Sequence, residues 1–422
     1  MIYTRPDYFS EFHCIADKCP ETCCAGWQIV IDDSSLQYYK TLTGAYADVL
    51  RSRIDFREGC FHQDHCKRCA FLKEDNLCDM YEHLGEESLC LTCTNYPRHI
   101  EEFENIREIT LSLSCPEAAH IILSRKDPVT FCSEEVDEPE ETFEDYDPFY
   151  FSYLEDAREV ILHLLQDRSL DIWVRYVLAW QFGQEMQDYL ENYELFDLVD
   201  LFDRYEDPSY LGQAEAQIMS QIISYTEDAE SAFSYSKSLF SFLYELEFLS
   251  DDWQEYLDSC WEILYEGNAS CRASNGAVNH ASSRTANGTA NYASSRASNY
   301  AQLHSEFRSW LAAGSLSEPE IDVSAKQFPV QIPINSFSID IIFEQLLVYF
   351  IFTYFCGAIY DDNVLGKIHL TLNSVFYLYE MMVVRWFQNG RTLSLQDVVE
   401  IAYRYSRELE HSDLNLEKME GA

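Results

Sequence analysis

The stretch HCIADKCPETCCAGW, residues 13–27, sets the four sulfurs of Cys14, Cys19, Cys23 and Cys24 between positions 14 and 24. Outward from it, Cys60, Cys66, Cys69, Cys78, Cys90, Cys93, Cys115 and Cys132 follow, and only Cys260, Cys271 and Cys356 lie beyond. Thiols at this density oxidise or cross-link unless held by one another or by a metal, and the two occupants imply opposite compartments. Residues 1–17 show no continuous apolar core and no A-x-A-like cleavage site. The chain therefore reads as cytoplasmic, where thiols stay reduced, and metal ligation is their expected use.

The 422 residues suffice for two or three domains with substantial cores. Hydrophobic content of 47% and aromatic content of 15% are those of a folded globular protein. The formal net charge is −44, from 29 basic and 73 acidic residues. Such a chain lacks the clustered Lys and Arg that neutralise phosphates, so neither nucleic acid nor a membrane surface is an expected partner. A negative field attracts basic groups instead, including lysine side chains on another protein. The apolar run at 346–360 is shorter than the roughly 20 residues of a spanning helix and is expected to be a buried core helix.

The fold expected is mainly α. A cysteine-rich, metal-binding segment with few short strands (1–132) leads through an acidic linker (133–148) into a helical domain. The linker carries nine acidic residues and two prolines and offers little to bury. Residues 149–266 repeat apolar positions at three- and four-residue intervals, as in Val160, Ile161, Leu164 and Leu165. Residues 267–301 change character: Arg272, Arg284 and Arg296 each begin a unit rich in Ala, Ser and Asn. This is a low-complexity repeat insertion, expected to be disordered. Residues 302–422 complete the helical domain, with helices predicted near 341–360, 368–388 and 395–410. Ser394 and Asp397 have the spacing of a helix cap.

The spacing Cys14-x4-Cys19-x3-Cys23-Cys24 is followed by Cys69-x8-Cys78, Cys90-x2-Cys93 and Cys115-Pro116. Iron–sulfur clusters draw thiolates from several chain segments, often with a proline beside a late cysteine. A structural zinc takes four ligands in a tetrahedron, and neighbouring Cys23 and Cys24 side chains diverge too far to serve one small ion together. The surplus of thiols favours a cluster, with zinc as the alternative. Cys60 and Cys66 read as dispensable. No Cys-x3-Cys-x2-Cys, Gly-x-Gly-x-x-Gly, P-loop or Gly-x-Ser-x-Gly pattern is present.

Several stretches together resemble the flagellin lysine-N-methylase family. They are Phe12-His13-Cys14-Ile15-Ala16-Asp17, Thr22-Cys23-Cys24-Ala25-Gly26-Trp27 and Ile31-Asp32. Cys69-Ala70-Phe71-Leu72, Leu77-Cys78, Leu84-Gly85 and Cys93-x2-Tyr96-Pro97-Arg98 continue the likeness. Leu113-Ser114-Cys115-Pro116-Glu117 ends the N-terminal set, and residues 405–412 (YSRELEHS) resemble the family's closing motif. The repeat tract has no counterpart there. The resemblance implies methyl transfer from S-adenosylmethionine to lysine ε-amines of flagellin, with a cysteine-bound [4Fe–4S] cluster. The thiols it carries over are Cys14, Cys19, Cys23, Cys24, Cys69, Cys78, Cys93 and Cys115, more than one cubane needs. A more distant likeness is to small cysteine-rich zinc- or iron-chelating proteins, which lack the helical remainder.

A lysine amine with a pKa near 10.4 must lose its proton before it attacks, at a cost of about 4.6 kcal/mol at pH 7. A base, a desolvated channel or both must supply that, and 29 tyrosines with 73 acids single out no one residue. Glu410 and His411 could orient substrate or close the last helix; a capping or packing role is the favoured reading, since His near a helix C-terminus is favoured by the dipole. The alternative function is a non-enzymatic zinc- or iron-binding scaffold or metal-delivery protein.

Overall fold

Apolar residues at the N-terminus and around position 106 build a sheet before any long helix forms. The computed structural model describes residues 1–144, 146–267, 289–314 and 338–421. Two compact units emerge, Met1–Tyr146 with Ala402–Asp413, and Asp147–Ile401 with Leu414–Ala422. The first contains β1 (Ile2–Pro6), α1 (Asp33–Thr41), α2 (Ala47–Ser52), β2 (Ile54–Asp55), β3 (Cys60–Phe61), α3 (Asp79–Leu84) and α4 (Leu91–Asn95). It continues with β4 (Arg98–Phe103), β5 (Ile106–Leu111), α5 (Pro116–Ser124) and β6 (Phe131–Glu135).

The sheet order is β4-β5-β1-β6. Strands β4 and β5 form a hairpin with Phe103 opposite Ile106, turning at Glu104, whose φ is 47°. β1 runs parallel to β5, Ile2 beside Ile106, and antiparallel to β6. The acidic segment is thus more than a solvated linker at its start. Its first residues pair as β6, Tyr3 donates to Glu138 at 2.7 Å, and Arg107 pairs with Glu141. A free strand edge on β1 recruits backbone that its side chains would leave in water.

A second core lies under the short helices, where Ile29, Ile31, Tyr39, Leu50, Ile54, Phe61, Phe71 and Met80 are buried together. Asp32 joins two elements of this core. Its carboxylate accepts the Ser35 amide at 2.9 Å, capping α1, and the Leu91 amide at 2.9 Å, starting α4.

The second unit is helical: α6 (Pro148–Gln166), α7 (Ile172–Glu191), α8 (Leu198–Glu206), α9 (Pro208–Glu227), α10 (Ala229–Ser241), α11 (Trp253–Trp261) and α12 (Thr289–Gly314). α13 (Ile339–Tyr354), α14 (Val364–Gln388), α15 (Leu395–Glu410) and α16 (Asp413–Glu420) complete the set, the end of α15 counting with the first unit. Ile339–Ile359 is long and apolar enough to cross a membrane by length and composition, yet 89% of its most apolar window is buried inside the protein. It is the core helix expected. Ser394 and Asp397 form the predicted cap: the Ser394 amide donates to the Asp397 carboxylate at 2.8 Å, and the Asp397 amide to Ser394 Oγ at 3.2 Å.

The repeat tract departs from expectation. Residues 268–288 lie outside the described residues, but 289–301 are the start of α12 rather than disordered. The reason is burial: Ala297, Tyr300, His304 and Phe307 lie at helical spacing and are buried. Tyr300 donates to the wholly buried Glu380 at 2.7 Å, and Ser236 donates to the same carboxylate at 3.2 Å.

Helices α7 and α14 meet at Gly183, where an added Cβ would stand 2.8 Å from Ile368 Cγ1 and 3.2 Å from its Cβ. Gly183→Ala is expected to cost about 1–3 kcal/mol through overpacking, outweighing alanine's helix preference of about 1 kcal/mol. A thermal melt with an unchanged or raised midpoint would remove this contact from the explanation of the interface.

Candidate metal centre

All cysteines among the described residues are free thiols. Cys132 and Cys66 are exposed, and Cys60 is buried in β3, where Gln28 Nε2 lies 2.9 Å from its sulfur. Cys260 and Cys356 are buried in the helical unit, and the other nine lie in two groups that meet at the neighbours Cys23 and Cys24.

One group forms where the chain's two ends meet. The loop 12–24 is made of short turns, and the Cys19 thiol donates to the Glu21 carbonyl at 3.1 Å. Trp27 Nε1 donates to the Cys23 carbonyl at 2.8 Å. Cys115 precedes Pro116, the first residue of α5, and its amide donates to the Ser112 carbonyl at 3.2 Å. Arg407, from the end of α15, joins these loops. Its Nε donates to the Ser114 carbonyl at 3.0 Å, and Nη2 to the Glu21 carbonyl at 2.9 Å. Nη1 reaches the Thr22 carbonyl at 3.4 Å and the Glu21 carboxylate at 3.3 Å. Ser112 donates to Glu410, while His411 Nε2 stands 3.0 Å from Ser114 Oγ and its ring 5.0 Å from that of Trp27.

Burial pushes the Cys115 thiol up to about 11 and raises Cys19, with the nearby Cys14 sulfur adding to both. The Cys23 thiol is raised by its hydrogen bond with Cys24, then by burial and by the sulfurs of Cys24, Cys14 and Cys115. Thiols crowded and buried in this way resist ionising until a cation balances them.

The other group belongs to the apolar core. Cys69 and Cys90 are buried in it, with Cys24, Cys78 and Cys93 packed against it. The Cys69 amide donates to the Cys24 carbonyl at 2.8 Å, and Ala25 bridges to Arg68. Gly26, with φ 91°, makes the turn that follows. Residues 69–79 close into a loop, Leu72 bridging to Cys78 and the Asp79 amide donating to the Phe71 carbonyl at 2.8 Å. Cys90 precedes α4, and Cys93 lies in its first turn. Burial pushes Cys69 up to about 12, helped by the sulfurs of Cys24, Cys78 and Cys90. Cys93 is raised by its hydrogen bond with Cys90, by burial, and by the sulfurs of Cys90, Cys24 and Cys69. The hydrogen bond from Cys23 lowers Cys24 to about 7.

The eight thiols picked out in the sequence are therefore all near other sulfurs, but in two groups rather than one. Cys90 belongs with them and was passed over, although its Cys-x2-Cys spacing marked it. Arg407 and Ser114 were visible only as letters in motifs. Of the two roles expected of His411, packing is the one seen: burial, then the Arg407 charge, lowers it to about 4, so a charged interaction with the helix dipole does not hold it. Packing against Trp27 and Tyr96 does.

A lowered histidine has a definite consequence for acid stability. Above about pH 6.5 it is neutral in both states and contributes nothing. As pH falls toward 4 the unfolded chain takes the proton first, so the fold weakens, by at most about 3 kcal/mol. Denaturant midpoints for His411→Gln should fall less steeply over that window than those of the wild type; parallel slopes would rule the effect out.

Among the described residues, the set of three ligand atoms lying mutually within 4.8 Å is that of the exposed Asp64, His65 and Cys66. A zinc with bonds of about 2.3 Å would bring sulfurs within about 3.8 Å. Thiolates that each reach a different iron stand further apart. Elsewhere, a groove of about 450 Å³ between α7 and α9 is lined by Trp180, Glu185, Asp188 and Tyr210 among others. Glu185 already pairs with Arg204 and Tyr205, which leaves that groove less distinctive than the thiol groups.

Comparison with known proteins fits this picture. Residues 158–422 match the FliB lysine N-methylase C-terminal domain. The flagellar biosynthetic protein FliU of Salmonella muenchen is 30% identical over 132 residues, which is 29% of this chain and 78% of that protein. A lysine-N-methylase of Salmonella typhimurium strain LT2 is 28% identical, and one of Salmonella choleraesuis strain SC-B67 is 30% identical, each over 132 residues. Those matches take in 29% of this chain and 33% of each enzyme's length. No solved structure matches the chain.

Proposed function

This chain belongs to the FliB lysine N-methylase family, and from that premise we propose that it is a protein lysine N-methyltransferase. The methyl group would come from S-adenosylmethionine and go to lysine ε-amines of flagellin, in the reducing cytoplasm, with a cysteine-held [4Fe–4S] cluster. The observation that carries the reading is the joining of three distant motifs, at 14–27, 112–117 and 405–412, into one thiol-lined site.

Three of the thiols Cys14, Cys19, Cys23 and Cys115 would hold the cluster, and their donor chemistry suits it. Bound through three thiolates, it would leave one iron open to ligate the amino and carboxylate groups of the methyl donor. Arg407 holds the two cysteine loops in register through main-chain carbonyls, a positioning role. The net charge of −44 draws lysine-bearing substrate toward the protein. Positioning the amine in line with the donor contributes several kcal/mol more.

Calorimetry of anaerobically purified protein is expected to show S-adenosylmethionine binding; its absence would favour the metal-binding scaffold instead. Cys23→Ser is expected to abolish methylation while helical content stays at the wild-type level. Activity retained in that variant would separate the thiols from the chemistry.

A further inference from the structure

We propose that the chain carries two iron–sulfur clusters, the second held by the core group of Cys24, Cys69, Cys78 and Cys93, with Cys90 beside them. The inference goes beyond the methyl-transfer reading and does not need it.

Number comes first. Nine thiols lie in these two groups, and a single cubane takes at most four. Packing comes next. Cys24, Cys69, Cys78, Cys90 and Cys93 share one apolar cluster with Tyr39, Phe61, Phe71 and Met80. Cys14, Cys19, Cys23 and Cys115 belong to the loops that Arg407 clamps. Different backbone devices hold each group: the Cys69-to-Cys24 amide bond and the 69–79 loop for one, the guanidinium for the other.

The surroundings also differ. The clamped group has Arg407, His411, Ser114 and Tyr96 at hand, polar groups suited to a reacting site. The core group is walled by aliphatic and aromatic side chains, as a closed structural centre is. Burying several thiols in a small apolar core with short helices makes sense if an inorganic group crosslinks them, because metal–thiolate bonds then supply folding energy.

Iron per chain decides the matter on full-length protein purified anaerobically from iron-supplied cells. The wild type is expected to hold about eight irons, two cubanes. Cys78→Ser and Cys19→Ser are each expected to keep about half of the iron. Electron paramagnetic resonance of the reduced wild type should show the broadened signal of two interacting clusters, and each variant the simple signal of one. About four irons in the wild type, or either variant losing all iron, would overturn the proposal. If Cys78→Ser does not fold, the wild-type count and spectrum still decide. A wild type with about four irons that still methylates lysine would sink the second cluster alone and leave the proposed function standing.

Discussion

Replacing Arg407 by alanine is expected to empty the Cys14, Cys19, Cys23 and Cys115 group of metal while the helical unit stays folded. The guanidinium is 9% exposed and donates to three main-chain carbonyls on two separate loops. Each buried acceptor left without a donor costs about 1–3 kcal/mol, so loosening both loops together is the easier outcome for the variant. The residues freed are those immediately before Cys23 and Cys115, and a thiol displaced by an ångström no longer meets its partners. Lysine should not rescue the variant, because one ammonium cannot match the planar fork of donors. Iron content should fall by about half in both Arg407→Ala and Arg407→Lys, with far-UV circular dichroism little changed. Wild-type iron content in the alanine variant would show that the clamp is incidental.

The second large effect lies in the helical unit. Glu344 on α13 is fully buried between Arg168, whose Nη2 and Nε donate to it at 2.8 and 3.0 Å, and Arg175, whose Nη1 donates at 3.0 Å. Arg175 is itself 3% exposed and also donates to the Leu165 carbonyl at 2.7 Å. Glu344→Ala would leave that cation buried without its counter-charge, at a cost of about 3–5 kcal/mol. The prior cost of desolvating Glu344 and Arg175 means the triad adds little net stability over an apolar replacement of all its members. The triple variant with Leu at 344 and Met at 168 and 175 is therefore expected to recover most of the loss. Chemical denaturation of both proteins measures the difference; a Glu344→Ala variant within about 1 kcal/mol of the wild type would contradict the burial argument.

How much of this could be read from the letters depended on whether the signal was local. Helices α13, α14 and α15 were legible because apolar residues recur at helical spacing, and the Ser394–Asp397 cap because its partners are three residues apart. The sheet was not. Ile2 pairs with Ile106 across a long separation, and nothing in five residues of IYTRP announces a central strand. Disorder in the repeat tract was inferred from composition, which weighs Ala, Ser and Asn but not the anchoring of Tyr300 on Glu380.

At the thiol site, spacing counted the sulfurs well and divided them poorly. Adjacent Cys23 and Cys24 were expected to point apart, yet their thiols hydrogen-bond to each other, and which other cysteines each meets depends on tertiary contacts. Arg407 was invisible as a positioning residue for a related reason. Its partners are carbonyl groups, which every residue possesses and no sequence pattern marks.

The most direct test is transfer of label from S-adenosylmethionine carrying an isotopic methyl group to flagellin, using the anaerobically purified full-length chain. Labelled ε-N-methyllysine should form in flagellin with the wild type and be lost with Arg407→Ala. Flagellin that stays unlabelled with iron-loaded wild-type protein would contradict the reading of this chain as its methylase.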